Sequence, residues 1–143
     1  MKTRHLLYPL AVGMILVGCQ CGHKTTKTED SIIEAAYNYS YAMANYNVKK
    51  AAPYATEETQ KTTLVRAQTL IQAVGNDYIK SDTPAKIKIT SVEITSDTSA
   101  YAIYHKTTPR KDFSDTLQLR KRDGKWLAHA LMKQVAAPSE QQQ

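Results

Sequence analysis

Cysteine is almost missing from this 143-residue chain: Cys19 and Cys21 are the two it has, both near the amino terminus. A scaffold stapled by disulfides is excluded. Glycine and proline number five each, too few for a collagenous or low-complexity chain, and 42% apolar residues are enough to form one modest core. A length of 143 residues leaves room for a single domain. There is no strong charge of one sign either. The formal charge is +6, but 17 basic residues face 13 acidic ones once residues 1–18 are set aside, and 15 face 12 over residues 29–134. A strongly basic nucleic-acid-binding domain is excluded on that balance, so no nucleic-acid partner is expected. Metal-binding spacing is absent too: His105 and His129 lie far apart with no partners at fixed intervals, and no phosphate-cradling glycine loop is present. No cofactor is expected.

One long hydrophobic stretch is present, residues 6–17, behind the basic head formed by Lys2, Arg4 and His5. That is the anatomy of an export signal. As a helix it would reach about 18 Å against roughly 30 Å of hydrocarbon, too short for a permanent anchor. The next residues, Leu16-Val17-Gly18-Cys19, resemble the bacterial lipobox. The resemblance implies a signal peptide over residues 1–18 and lipidation of the Cys19 sulfur after cleavage. A small residue at Gly18 suits the extended backbone of a cleavage site, and a thiolate is the soft nucleophile that lipid transfer needs. Two or three acyl chains, at about 0.8 kcal/mol per buried methylene, hold a protein firmly at a membrane. Cys21 is then a free thiol in a polar tether, residues 19–28. Gln20 is not the aspartate that favours inner-membrane retention in enterobacterial lipoproteins, so the outer membrane is the expected address.

Residues 29–47 place Ile32, Ala36, Tyr39, Met43 and Tyr46 at steps of three and four, a wide apolar helical face capped by Thr28 or Asp30. A short second helix over residues 48–54 is limited by Pro53, and a third starts at Thr56 and stops at Gly75-Asn76. After Pro84 the period changes to two. Four strands are predicted, over residues 86–94, 100–107, 113–122 and 125–132. A phase shift near Thr90-Ser91 predicts a bulge that curves the sheet, and Asp123-Gly124 a two-residue hairpin turn. Helices followed by an antiparallel meander give an α+β fold, three N-terminal helices packed on a curved four-stranded sheet over residues 29–134, with residues 135–143 a polar tail.

The Tyr/Ala-rich stretch at residues 34–59, the Asp97-Thr98-Ser99-Ala100 turn and the closing segment at residues 117–126, ending Asp-Gly-Lys-Trp, resemble the small bacterial lipoproteins with a nuclear transport factor 2-like, cystatin-like cone. The likeness spans most of residues 29–134. It implies a concave pocket between the first helix and the sheet, but this superfold carries isomerases, dehydratases, transport factors and binding modules alike.

Five of the nine tyrosines fall within residues 37–54. Some could line the pocket for an apolar or sugar-like ligand, or they could pack on the sheet with their hydroxyls at the rim. The pocket residues expected are Tyr39, Met43, Tyr46, Tyr104, Asp115 and Trp126. Asp115 shares a strand face with Leu117 and Leu119, whereas His105 and His129 face in or out according to a strand phase that stays open at this stage. The basic turns at Arg110-Lys111 and at residues 120–125 could lie at opposite ends of the sheet or along one edge. The leading expectation is a non-enzymatic, lipid-anchored envelope protein that binds a small ligand or an envelope protein. A pocket enzyme of the isomerase or dehydratase type using Asp115 with a Tyr or His is the alternative, and a cone filled by Trp126 and Met43 a third. Replacing Cys19 by Ala should abolish incorporation of labelled fatty acid and release the chain from sedimented membranes; undiminished retention would refute lipidation there.

Overall fold

The computed structural model describes residues 26–131. Helix α1 spans Lys27–Ala44 and starts at Thr26, whose hydroxyl accepts from the Glu29 N–H at 3.2 Å while the Glu29 carboxylate accepts from the Thr26 N–H at 2.7 Å. This reciprocal cap sits earlier in the chain than the Thr28 or Asp30 expected, because only Thr26 has a glutamate three residues on. The buried face is formed by Ile32, Ala35, Ala36, Tyr39 and Ala42. Asn45 ends the helix: its amide N–H groups donate to the Tyr41 and Ala85 carbonyls, and its side-chain oxygen accepts from the Ala85 N–H. Tyr46 then turns the chain with φ +58°, so the helix stops short of residue 47.

Helix α2 (Val48–Ala51) runs into a tight 3₁₀ turn, Ala52–Tyr54, that holds Pro53. Thr56 caps the next helical rod as expected, accepting from the Thr59 N–H. The rod consists of α3 (Glu57–Thr59), a wide π turn at Gln60–Leu64, and α4 (Val65–Val74). Gly75, at φ +78°, stops it. A further helix, α5 (Asn76–Asp82), follows at once where the sequence suggested no element; of its seven residues only Asp82 is buried, so it carries no apolar stripe to betray it.

Strands β1 (Lys86–Ser96), β2 (Ser99–Thr107), β3 (Asp112–Arg122) and β4 (Lys125–Ala128) form an antiparallel meander in chain order. The ladder between β1 and β2 skips one residue at Thr90, between the Ile89 and Ser91 pairings, so the expected bulge is present. Asp123 and Gly124, at φ +49° and +76°, make the predicted two-residue hairpin. The inward phase is settled: Ala100, Ala102, Leu117, Leu119, Trp126 and Ala128 are buried together against α1. The two basic turns therefore cap opposite ends of β3.

The strand expected over residues 125–132 ends at Ala128, and the residues that follow it are sealed by the α3 rod. The Thr56 N–H donates to the Ala128 carbonyl at 2.9 Å, the Ala130 N–H to the Thr59 hydroxyl at 3.0 Å, and the Thr63 hydroxyl to the Ala130 carbonyl. His129 is enclosed in this seam, its Nδ1 3.2 Å from the Thr56 hydroxyl. Burial, followed by the charge of Arg120, lowers its pKa; Arg122 adds to the effect and Glu58 opposes it. A base held neutral this way costs stability in acid. As pH falls through about 6.5, the ordinary histidine value, the unfolded chain takes up a proton that the folded chain refuses. Urea midpoints should fall over that range and the fall should be smaller in His129→Gln; an equal pH slope in both would refute the assignment.

Candidate ligand pocket

Alternation along β2 and β3 turns Tyr104, Lys106, Phe113 and Asp115 toward the carboxy-terminal half of α1, where Tyr39, Ser40, Met43 and Ala44 close a pocket of about 160 Å³. The strand register pairs Tyr104 with Asp115 and Lys106 with Phe113. Four of the expected residues, Tyr39, Met43, Tyr104 and Asp115, thus meet at one place. Burial, and then the neighbouring Tyr104, pushes the Tyr39 hydroxyl up to about 12. Burial, and then the Asp115 charge, pushes Tyr104 likewise to about 12. Both hydroxyls therefore stay protonated at neutral pH and act as donors. Tyr104 reaches the Asp115 carboxylate only at 3.5 Å, while the other carboxylate oxygen accepts from the Thr116 N–H at 2.8 Å.

Lys106 lies with its ammonium 5.6 Å from the centre of the Phe113 ring, and Lys111 approaches the same ring at 5.2 Å. Burial lowers the Lys106 pKa, partly offset by Asp82. Ser40 is 4% exposed and its hydroxyl has no hydrogen-bond partner. A buried hydroxyl without a partner is costly, commonly by about 1–3 kcal/mol. Sequence reasoning did not single out Lys106 or Ser40. Lys106 was legible through period two from Tyr104; Ser40 carried no signal.

Tyr46 and Trp126 stand elsewhere. The positive φ of Tyr46 swings its side chain to the end of the cone, where its hydroxyl donates to Asp82 Oδ2 at 2.6 Å while the Thr108 hydroxyl donates to Oδ1 at 2.9 Å. Tyr78 meets the Tyr46 ring edge-on, and Arg110 lies 4.6 Å from the Tyr78 ring centre. Trp126 is 6% exposed among the core residues, because the strand phase that brings Ala128 inward brings it in too. Its rim borders a separate outer groove of about 470 Å³ with Ser31, Glu34 and Tyr54. A third concavity, about 690 Å³, lies on the outer side of α1 between Tyr41, Lys49 and Tyr54. The histidines are away from the pocket: His105 faces outward beside the Ser114 hydroxyl at 3.2 Å, and His129 sits in the seam. Cys19 lies outside the described residues. Among the described residues no three His, Cys, Asp or Glu side chains gather to hold a metal, and no helix is long and apolar enough to cross a membrane.

No protein-family profile and no curated protein matches this sequence. Solved structures do. A Campylobacter jejuni protein, provisionally described as an NTF2-like transpeptidase, superposes with a TM-score of 0.51 at 17% identity, over 72% of this chain and 97% of its own. An NTF-2-like protein of unknown function from Shewanella oneidensis MR-1 gives 0.51 at 13% identity, over 71% of this chain and 93% of its own. The fold is nuclear transport factor 2-like. At these identities the likeness concerns architecture alone. Within that cone the Tyr46–Asp82–Thr108 clamp ties the end of α1 to α5 and to the β2–β3 turn.

The clamp yields a test. The Tyr46 hydroxyl first, and the Thr108 hydroxyl with Lys106 and Arg110 after it, hold the Asp82 carboxyl below its ordinary value of 3.8 despite opposing burial. A lowered acid contributes stability that is present above its ordinary value and lost as pH falls through its folded one. Tyr46→Phe should cost about 1–3 kcal/mol at pH 7, as a buried carboxylate loses a donor. In denaturant titrations that penalty should shrink below pH 3.8; a penalty independent of pH would mean that the hydroxyl does not act through Asp82.

Proposed function

We propose that this chain is a bacterial lipoprotein, lipidated at Cys19, whose cone domain binds a small ligand without transforming it. The observation that carries the reading is the pocket wall. It offers fixed donors, Tyr39 and Tyr104 with hydroxyl pKa values raised to about 12, and is lined by Ser40, whose buried hydroxyl is unpartnered, but it has no histidine. General acids and bases work best with a pKa near the operating pH, and hydroxyls at about 12 are far from it. Preorganised donors in a half-closed cleft instead supply recognition. Anchoring adds concentration. A short tether, the seven residues 19–25 between Cys19 and the Thr26 cap, confines the domain to a thin layer at the membrane and raises its effective concentration toward whatever is released there. An envelope protein partner would gain from the same confinement, and the exposed Tyr37 and Tyr41, stacked at 5.7 Å on the outer side of α1, are the surface that favours it.

An enzyme built on Asp115 and Tyr104 draws its support from their 3.5 Å approach. One experiment separates these readings. Past residue 18 the methionines are Met43 and Met132, so methyl-labelled methionine gives the full-length protein in detergent a sparse spectrum with one probe in the pocket wall. Fractions of a small-molecule envelope extract should shift the Met43 methyl reversibly and be recovered unchanged by mass spectrometry. A chemically altered component would establish turnover and overturn the non-enzymatic reading, and absence of any shift would overturn the pocket as a binding site.

A further inference from the structure

We infer that the pocket formed by Ser40, Lys106 and Asp115 with Tyr39 and Tyr104 takes a small zwitterion of the α-amino-acid class, its carboxylate on Lys106, Ser40 and Tyr39 and its ammonium on Asp115. This rests on the reading of the cone pocket as a binding site and names the chemistry of its occupant. Size is the first restriction. A volume of about 160 Å³ is about half the roughly 300 Å³ at which drug-sized pockets begin, and it equals the space of about five waters. An amino acid with a short side chain fits; a nucleotide, a lipid chain or an oligosaccharide does not.

Charge is the second. Lys106 and Asp115 carry opposite charges on adjacent strands, but they are diagonal rather than opposite, since Lys106 pairs with Phe113 and Tyr104 with Asp115. Diagonal neighbours stand about 7–8 Å apart at the backbone. The ion pair present among the described residues is Lys61–Glu57; Lys106 and Asp115 do not join. With no direct contact between the two charges, a zwitterion seated between them can give each a charge-assisted hydrogen bond of about 2.8 Å. Asp82, the other acid that Lys106 senses, already accepts from Tyr46 and Thr108.

The unpartnered Ser40 hydroxyl is the third and independent observation. A serine inside a helix commonly satisfies itself on the carbonyl one turn back. Ser40 does not: its hydroxyl is buried and unpartnered, and the residue lines the pocket beside Tyr39, another donor. A carboxylate is acceptor-only when ionised, so it meets a lysine and two hydroxyls without leaving a donor unmatched. Met43 and the Phe113 ring form the apolar side, which suits a methyl or hydrogen substituent better than a charged one.

The Met43 methyl of the full-length protein reads the test, with glycine, L-alanine and D-alanine as zwitterions, acetate and ethylamine as their single-charge halves, and glucose as a neutral polar control. One or more of the zwitterions should bind at least tenfold more tightly than either half, since a hydrogen bond to a charged group contributes about 1.5–3 kcal/mol. Lys106→Met and Asp115→Asn should each weaken zwitterion binding at least tenfold, with Asp115→Asn leaving acetate unaffected. Should either variant fail to fold, the comparison of probes on the unaltered protein still decides. Acetate binding as tightly as alanine would reduce the site to an anion site and overturn the inference. A shift with glucose or with the envelope extract, but none with any zwitterion, would overturn the ligand class and leave the pocket standing as a binding site; silence toward extract and probes together would remove both.

Discussion

Close approach between α1 and the concave face of the sheet is the contact on which the remaining structure depends. Alanines make it possible. Ala35, Ala36 and Ala42 on the helix face Ala100 and Ala102 on β2 and Ala128 on β4, all buried. Small side chains on both surfaces bring the backbones together, while Ile32, Leu117, Leu119 and Trp126 fill the volume at the margins. Bulk at the alanine positions would lift the helix from the sheet, and a well-packed core answers added methylenes with strain of about 1–3 kcal/mol. The bulge at Thr90 belongs to the same constraint, since a sheet must curve to follow a helix across its width.

Two polar closures complete the cone. At one margin Thr56, Thr59 and Thr63 stitch the α3 rod to the chain leaving β4, so short a strand that backbone pairing alone would hold it weakly. At the far end Asp82 gathers Tyr46 and Thr108, and the Thr108 hydroxyl in turn accepts from the Arg110 and Lys111 N–H groups. Buried polar networks are tolerated when every member is satisfied, and these are. Ser40 on α1 belongs to neither network, and its buried hydroxyl has no partner.

The sheet was the most legible part of the sequence. Period-two alternation located four strands, and the phase slip and the Asp-Gly pair fell where expected, but the last strand ends at Ala128, short of the expected residue 132. Helix α5 was not legible, because its exposed residues encode no face and Gly75-Asn76 reads as an ending although a new helix starts there. Of the pocket, Tyr39, Met43, Tyr104 and Asp115 followed from helical and strand periodicity. Tyr46 did not, because a left-handed residue breaks the helical phase and no spacing rule announces a tyrosine that will adopt it. Trp126 matched the inward phase, but periodicity cannot distinguish a wall from a core.

Helix α1 also sets a separation. From Lys27 to Met43 it rises about 24 Å, so the chain arrives at one end of this rod while the pocket opens beside the other. If the amino-terminal side is held at a bilayer, the rod works as a strut that keeps the cleft clear of the headgroups and turned to the aqueous phase. Solutes dissolved in water, rather than lipids lying in the leaflet, are then the molecules that meet its mouth.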